Sequence, residues 1–251
     1  MILPMSLYRK LLLRLYPYKN LHDDYITRLQ GSIGGAGMLH PGNVYALDYA
    51  IRRAPAEGAI LEIGSFAGLS TNVITWLLRK HQRLSTPFFC CDPWVYDGYH
   101  DKVRHDDAIY MQHFEGCEHV TREVYTRFIR ESFIRNTQLF TPDALPHALH
   151  LESDLFFDAW KKEETYTDVF GRQVPLGGRL SFVYIDGDHS YEQARRDVEN
   201  TLEYLLPGGL ILLDDSADYW KYGSVRLARE MRRWKGLGLV MKNPNYLFVK
   251  G

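Results

Sequence analysis

The chain has 251 residues, 45% hydrophobic and 24% charged, which excludes a disordered segment and leaves room for one sizeable core. A formal net charge of −1 argues against a nucleic-acid partner, since such a surface needs clustered Lys and Arg. Of three cysteines, Cys90 and Cys91 are adjacent in an apolar run and Cys117 stands apart; no C-x-x-C metal signature exists, and reduced thiols of a cytoplasmic protein are expected.

The first 20 residues carry Arg9, Lys10, Arg14 and Lys19 and no acidic residue. They lack the cleavage site of a signal peptide, and no stretch of the chain reaches the ~20 apolar residues of a membrane span. Two readings are open. A basic amphipathic helix would give a weak contact with an anionic membrane, peripheral at its inner surface. A leading helix would instead dock on the domain, or on a second copy in a homo-oligomer. Docking is preferred, with residues 1–39 as a helical extension and 40–251 as the main domain.

From residue 58 onward, short apolar runs alternate with helical patterns. "AILEIG" (59–64) reads as a buried strand, and 68–80 as a helix carrying Val73, Leu77 and Leu78 on one side. "PFFCCD" (87–92) is the second strand, "HALHLES" (147–153) the third, "LSFVYID" (180–186) the fourth and "GLILLDD" (209–215) the fifth. Before the fifth, Ala194, Val198, Leu202 and Leu205 recur at helical spacing until Pro207-Gly208-Gly209 ends the helix. "GLGLVMKNPNYLFVKG" reads as a hairpin turning at Asn243-Pro244-Asn245. Continuous apolar strands between amphipathic helices mean an α/β fold, a doubly wound, mostly parallel sheet with an antiparallel end.

Two segments interrupt the alternation. Residues 162–179 look like a surface insertion. Residues 93–146 hold a polar, aromatic loop and a helical stretch at the carboxyl-end edge of the sheet, where open α/β sheets bind ligands. Trp94, Tyr96 and Tyr99 are candidates for an acceptor pocket there. His100, His105 and His113 have no metal-site spacing and read as solvated lid residues.

"LEIGSFAGLST" (61–71) is a strand, a glycine-rich turn and a helix start. Gly64 and Gly68 permit a tight turn and close backbone approach to a ligand. The pattern Glu62-x-Gly64-x-x-x-Gly68 lacks the close glycine pair of the dinucleotide fingerprint, which counts against a nicotinamide-dependent oxidoreductase. Asp92 ends the next strand, where a carboxylate can accept ribose hydroxyls.

Asp186 ends the fourth strand and Asp214-Asp215 the fifth. Parallel neighbours bring their carboxyl ends together about 5 Å apart. Three carboxylates at one spot repel one another, and a hard divalent cation relieves that repulsion. The plainer alternative is that Asp186 and Asp214 cap turns. His189 and Asp188 have similar turn readings, and for Asp188 that reading is preferred.

These residues resemble the class I, seven-stranded, Rossmann-like S-adenosylmethionine-dependent methyltransferases over roughly residues 40–250, least so in the N-terminal segment and 93–146. The resemblance implies that Glu62, Gly64, Ser65 and Gly68 border the methionine half of the cofactor. It implies that Asp92 holds the ribose, that Asp154 in "ESDLF" meets the adenine, and that Asp186 sits beside the methyl group. Within that class, Asp186-Gly187-Asp188-His189 and Asp214-Asp215 are similar to the metal-dependent macrocin and mycinamicin sugar O-methyltransferases. That likeness implies Asp186, Asp214 and Asp215 as ligands of a divalent metal, Mg²⁺ expected, and His189 with Asp186 as the catalytic pair. The acceptor expected is a sugar or other polyhydroxylated small molecule, with a phenol as the alternative. A non-catalytic membrane-surface protein with a methyltransferase-like core is the rival of another kind.

Overall fold

The computed structural model describes residues 15, 17–32, 39–95 and 122–251. Tyr96, Tyr99, His100, His105, His113, Cys117 and most of the basic N-terminal segment lie outside the described residues.

Seven strands form one sheet in the order β3-β2-β1-β6-β7-β9-β8. They are β1 (Ala59–Ile63), β2 (Phe88–Cys91), β3 (His147–Leu149), β6 (Leu180–Ile185), β7 (Leu205–Leu213), β8 (Leu237–Lys242) and β9 (Tyr246–Lys250). The first five named run parallel, and β9 pairs antiparallel with both β7 and β8, as expected of the terminal hairpin. Alternation along each strand feeds two cores. Ile60, Phe182 and Leu210 pack with α1 (Asp24–Ser32), α2 (Pro41–Arg53), α3 (Leu69–Lys80) and α4 (Arg122–Phe140). Leu61, Val183 and Ile211 pack with α5 (Ser153–Lys161), α6 (Tyr191–Tyr204) and α7 (Gly223–Met231). Both faces are covered, which is why these strands read as unbroken apolar runs.

Two expectations need correction. Strand β3 stops at Leu149, because Glu152 already begins the turn into α5. Strand β7 starts at Leu205, directly after α6, so Pro207-Gly208-Gly209 does not end the helix. The three sit in an irregular stretch of β7 between the pairs Leu180–Leu205 and Phe182–Leu210, with Gly208 at φ 76°. The surface insertion at 162–179 holds a hairpin, β4 (Thr165–Thr167) and β5 (Gln173–Pro175), mostly exposed but with Val174 in the core around Trp160.

Candidate active site

Register sets the site. Ile63 pairs with Cys91 on one side and Ile185 on the other, and Ile185 pairs with Leu213. The next residues, Asp92, Gly64, Asp186 and Asp214, therefore stand in a row at one sheet edge. The chain leaves β1 toward β2 and β3, and leaves β6 toward β7, so β1 and β6 flank the topological switch point where α/β sheets take ligands. A cleft of about 610 Å³ opens there, lined by Gly64, Ser65, Asp92, Asp154, Asp186, His189, Asp214 and Asp215 among others. That volume suits a cofactor or drug-sized ligand.

The glycine turn is held from below and from the side. Gly64 has φ 83°, and a Cβ on it would lie 2.1 Å from the Asp186 carbonyl oxygen, so only glycine lets β1 pass β6 here. Gly68, at φ 89°, is the N-cap of α3. Glu62 does not reach the cleft wall. It is buried beneath the turn, where its Oε2 accepts from Ser65 Oγ (3.1 Å), Thr71 Oγ1 (2.5 Å) and Cys90 Sγ (3.4 Å). Burial pushes its carboxyl up to about 6, and those donors pull the other way.

Asp92 is also buried, and it is engaged before any ligand arrives. Its Oδ2 accepts from the Ser65 and Phe66 amides at 2.7 and 2.8 Å, and its Oδ1 from the Trp94 amide at 2.5 Å. Burial raises its pKa against those three bonds. A carboxylate offers about four lone-pair sites, so one is left, enough for one hydroxyl rather than two. Trp94 is 2% exposed, donates Nε1–H to the Phe66 carbonyl (2.8 Å) and packs on Phe133, so it braces this turn.

Asp154 lies in the first turn of α5, with Oδ2 3.2 Å from Arg196 Nε and Oδ1 3.4 Å from Gln193 Nε2. Behind it is a carboxylate that the sequence did not single out. Asp197 is fully buried and accepts from Ser153 Oγ (2.6 Å) and Gln193 Nε2 (3.0 Å), while its Oδ2 has no hydrogen-bond partner among the described residues. Burial pushes this carboxyl up to about 6.

At the other half of the cleft, turn capping is done by other residues. Ser190 caps α6, its Oγ accepting from the Gln193 amide at 3.2 Å, and Asp188 Oδ1 accepts from the Ser190 amide at 2.7 Å. Asp188 is thus a turn residue, whereas Asp186 accepts from no backbone amide among the described residues. His189 Nε2 lies 3.4 Å from Asp215 Oδ2 and 4.0 Å from Asp186 Oδ1. The Tyr184 hydroxyl lies 3.0 Å from Asp186 Oδ2 and 2.9 Å from Asp214 Oδ2, so its one proton serves one carboxylate at a time. Burial, then Asp214 and Asp215 alongside, hold the Asp186 carboxyl well above the usual range. Asp215, whose Oδ2 faces His189, has φ 45°, in the left-handed region.

Among the described residues, no group of three or more His, Cys, Asp or Glu is arranged to hold a metal ion. The donor chemistry nonetheless suits a hard cation: carboxylate oxygens of Asp186 and Asp215 face the same imidazole, and Asp186 bears a like-charge penalty that a cation would relieve. The sequence also gave no sign of Tyr184, Asn43, Asn245 or His40, which converge only through tertiary structure. His40 lines the cleft and caps α2, its Nδ1 accepting from the Gly42 amide at 2.9 Å; burial lowers its pKa.

Comparison with known proteins identifies the family. Residues 61–216 match a family described as a methyltransferase domain, which spans the glycine turn, Asp92, Asp186 and the acidic pair. The chain belongs to this methyltransferase family and is a methyltransferase. No curated protein matches the sequence at a significant level. Among solved structures, the chain is similar to the O-methyltransferase TomG from Streptomyces achromogenes, involved in tomaymycin synthesis and solved with S-adenosylmethionine (12% identity, 99% of each chain covered, TM-score 0.52). It is similar to the O-methyltransferase NovP (15%, 98% of each chain, TM-score 0.52) and to the calicheamicin methyltransferase CalS11 (15%, 95% of this chain and 96% of the other, TM-score 0.53). Identities this low speak for the fold, here the Rossmann-like methyltransferase fold. The family replaces the nicotinamide-dependent alternative. Among the described residues no helix is long and apolar enough to cross a membrane.

Proposed function

We propose that the protein moves the methyl group of S-adenosylmethionine to a hydroxyl of a sugar or another polyhydroxylated small molecule. A divalent cation, Mg²⁺ expected, would be held by Asp186, Asp214 and Asp215. The observation that carries this reading is the row of strand ends: glycine turn, Asp92, Asp186, Asp214-Asp215 and His189 share one cleft. The solved structure of TomG with S-adenosylmethionine supports the choice of cofactor.

In this reading the turn 64–68 and Asp92 hold the cofactor's methionine and ribose, Asp154 stands at the adenine end, and the methyl group faces Asp186. A cation bound by the carboxylates would lower the pKa of a hydroxyl beside it. His189 Nε2 accepts that hydroxyl's proton as the oxygen takes the methyl and the carbon–sulfur bond breaks. The imidazolium that forms is faced by Asp215 Oδ2 and Asp186 Oδ1 at 3.4 and 4.0 Å, which favours its charge.

Charge narrows the acceptor. Eight of the described lining residues are Asp or Glu, and none is Lys or Arg. A phosphate- or carboxylate-bearing acceptor would meet repulsion there, so a neutral or cationic polyol fits better. A phenol remains the second reading because Trp220, 41% exposed, and Tyr222 give the same wall aromatic faces. Labelled methyl transfer from S-adenosylmethionine to matched panels of glycosides and catechols tests this. Label in neutral glycosides supports the reading; label confined to catechols, or to phosphorylated sugars, overturns it.

A further inference from the structure

We propose that Asn43 and Asn245 are positioning residues of the acidic site, two carboxamides that fix the Asp214 carboxylate so that it can join Asp186 and Asp215 around a cation. The inference rests on the cation reading given above. It concerns residues from α2 and from the turn of the terminal hairpin, which no local pattern connects.

Both amides are buried, Asn43 0% and Asn245 3% exposed. Asn43 Nδ2 lies 2.5 Å from Asp214 Oδ1 and 3.3 Å from the Tyr184 hydroxyl. Asn245 Nδ2 donates to the same Asp214 Oδ1 and, at 2.9 Å, to Asn43 Oδ1. Asn245 Oδ1 accepts from the Ala217 amide at 2.9 Å. All four side-chain N–H groups are therefore spent, and Asp214 Oδ1 is saturated on its buried side. Oδ2 faces the Tyr184 hydroxyl at 2.9 Å, whose one proton it shares with Asp186, and keeps at least one lone pair.

The residue type decides what this is for. Had the fold needed only to close α2 onto the hairpin, apolar side chains would do so without desolvating two amides. Had it needed to neutralise Asp214, Lys or Arg would serve and would also repel a cation. An amide does neither: it orients the carboxylate and leaves its negative charge in place. The two supports are also locked together. A Cβ on Gly42 would lie 2.0 Å from the Asn243 carbonyl oxygen, so the α2 backbone touches the hairpin turn. Asn243 Nδ2 bridges the Gly42 and Lys19 carbonyls at 2.9 and 2.8 Å.

The test is Mn²⁺ binding to the full chain, read from the free-ion paramagnetic resonance signal at saturating S-adenosylhomocysteine. The proteins are wild type, Asn245→Ala, Asp214→Asn and the double variant, with S-adenosylhomocysteine affinity by calorimetry as the check on folding. Asn245→Ala and Asp214→Asn should each weaken Mn²⁺ binding by about tenfold or more while leaving S-adenosylhomocysteine affinity within about twofold. The double variant should be no weaker than Asp214→Asn alone, because Asn245 acts through Asp214. Should Asn245→Ala fail to fold, Asn43→Ser carries the same cycle. Wild-type Mn²⁺ affinity in the amide variants, or losses that add in the double variant, overturns the inference and leaves the cation reading standing. Absence of Mn²⁺ binding by wild type overturns both.

Discussion

Replacing Asp92 by Asn separates two duties that the structure gives one carboxylate. The asparagine can set its oxygen where Oδ2 is and keep the Ser65 and Phe66 amides, but its amide nitrogen then faces the Trp94 N–H, 2.5 Å from the lost oxygen. One charge-assisted bond, worth about 1.5–3 kcal/mol, becomes a donor–donor contact, and two others weaken with the loss of charge. Against this, burial already opposes the ionised form, so removing the charge recovers part of the cost. The net loss of stability should be about 2–4 kcal/mol. The last lone pair of Oδ1, the one available to a ribose hydroxyl, disappears as well, which should weaken S-adenosylhomocysteine binding by about 10–100-fold. Urea unfolding read by tryptophan fluorescence gives the first number, and calorimetric titration of the folded variant the second. Asp188→Asn is the control, since Asp188 holds one turn amide. An unchanged unfolding midpoint would refute the bracing role; a lower midpoint with unchanged affinity would remove Asp92 from the cofactor site.

Gly64→Ala should cost at least about 3 kcal/mol or abolish folding, because its Cβ would strike the Asp186 carbonyl at 2.1 Å, whereas Gly68→Ala should cost about 1–2 kcal/mol, since its Cβ meets the Phe133 ring at 3.2 Å; thermal unfolding should rank the two in that order. Asp197 titrates near 3.8 unfolded and about 6 folded, so the folded state binds the extra proton between those values and wild type loses stability as pH rises through them. Asp197→Asn cannot titrate, so its stability relative to wild type should rise by on the order of 2–3 kcal/mol from pH 3.5 to 7; equal slopes in chemical unfolding across that range would contradict the assigned burial.

Much of this site was legible in the chain because chemistry and local pattern coincide at strand ends. Each apolar run that stops at an acid, as at Asp92, Asp186 and Asp214, announces both a parallel strand and its carboxyl end, and pairing between neighbours then fixes the row. Glu62 was legible as a motif residue but not as one facing inward, since strand alternation alone does not say which core a side chain enters. Tyr184 reads as one more apolar strand residue and Asn245 as one more turn former; both acquire their roles from Asp214, 30 and 31 residues away. Asp197 sits in a helix whose other charged residues are solvated, and only the packing of α5 against α6 encloses it. The β7 irregularity was misread because Pro and Gly signal a helix end equally well when they occupy a bulge.

The central claim is that three carboxylates and His189 make a cation-assisted O-methyl-transfer site. The most direct measurement is kcat for labelled methyl transfer against Mg²⁺ concentration after exhaustive chelation, for wild type, Asp186→Asn and His189→Ala. Wild type should lose activity on chelation and regain it with Mg²⁺; Asp186→Asn should need much more Mg²⁺. His189→Ala should keep the wild-type Mg²⁺ dependence with kcat lower by roughly 10²–10⁴, a deficit that shrinks as pH rises. Wild-type activity that survives exhaustive chelation would contradict the account.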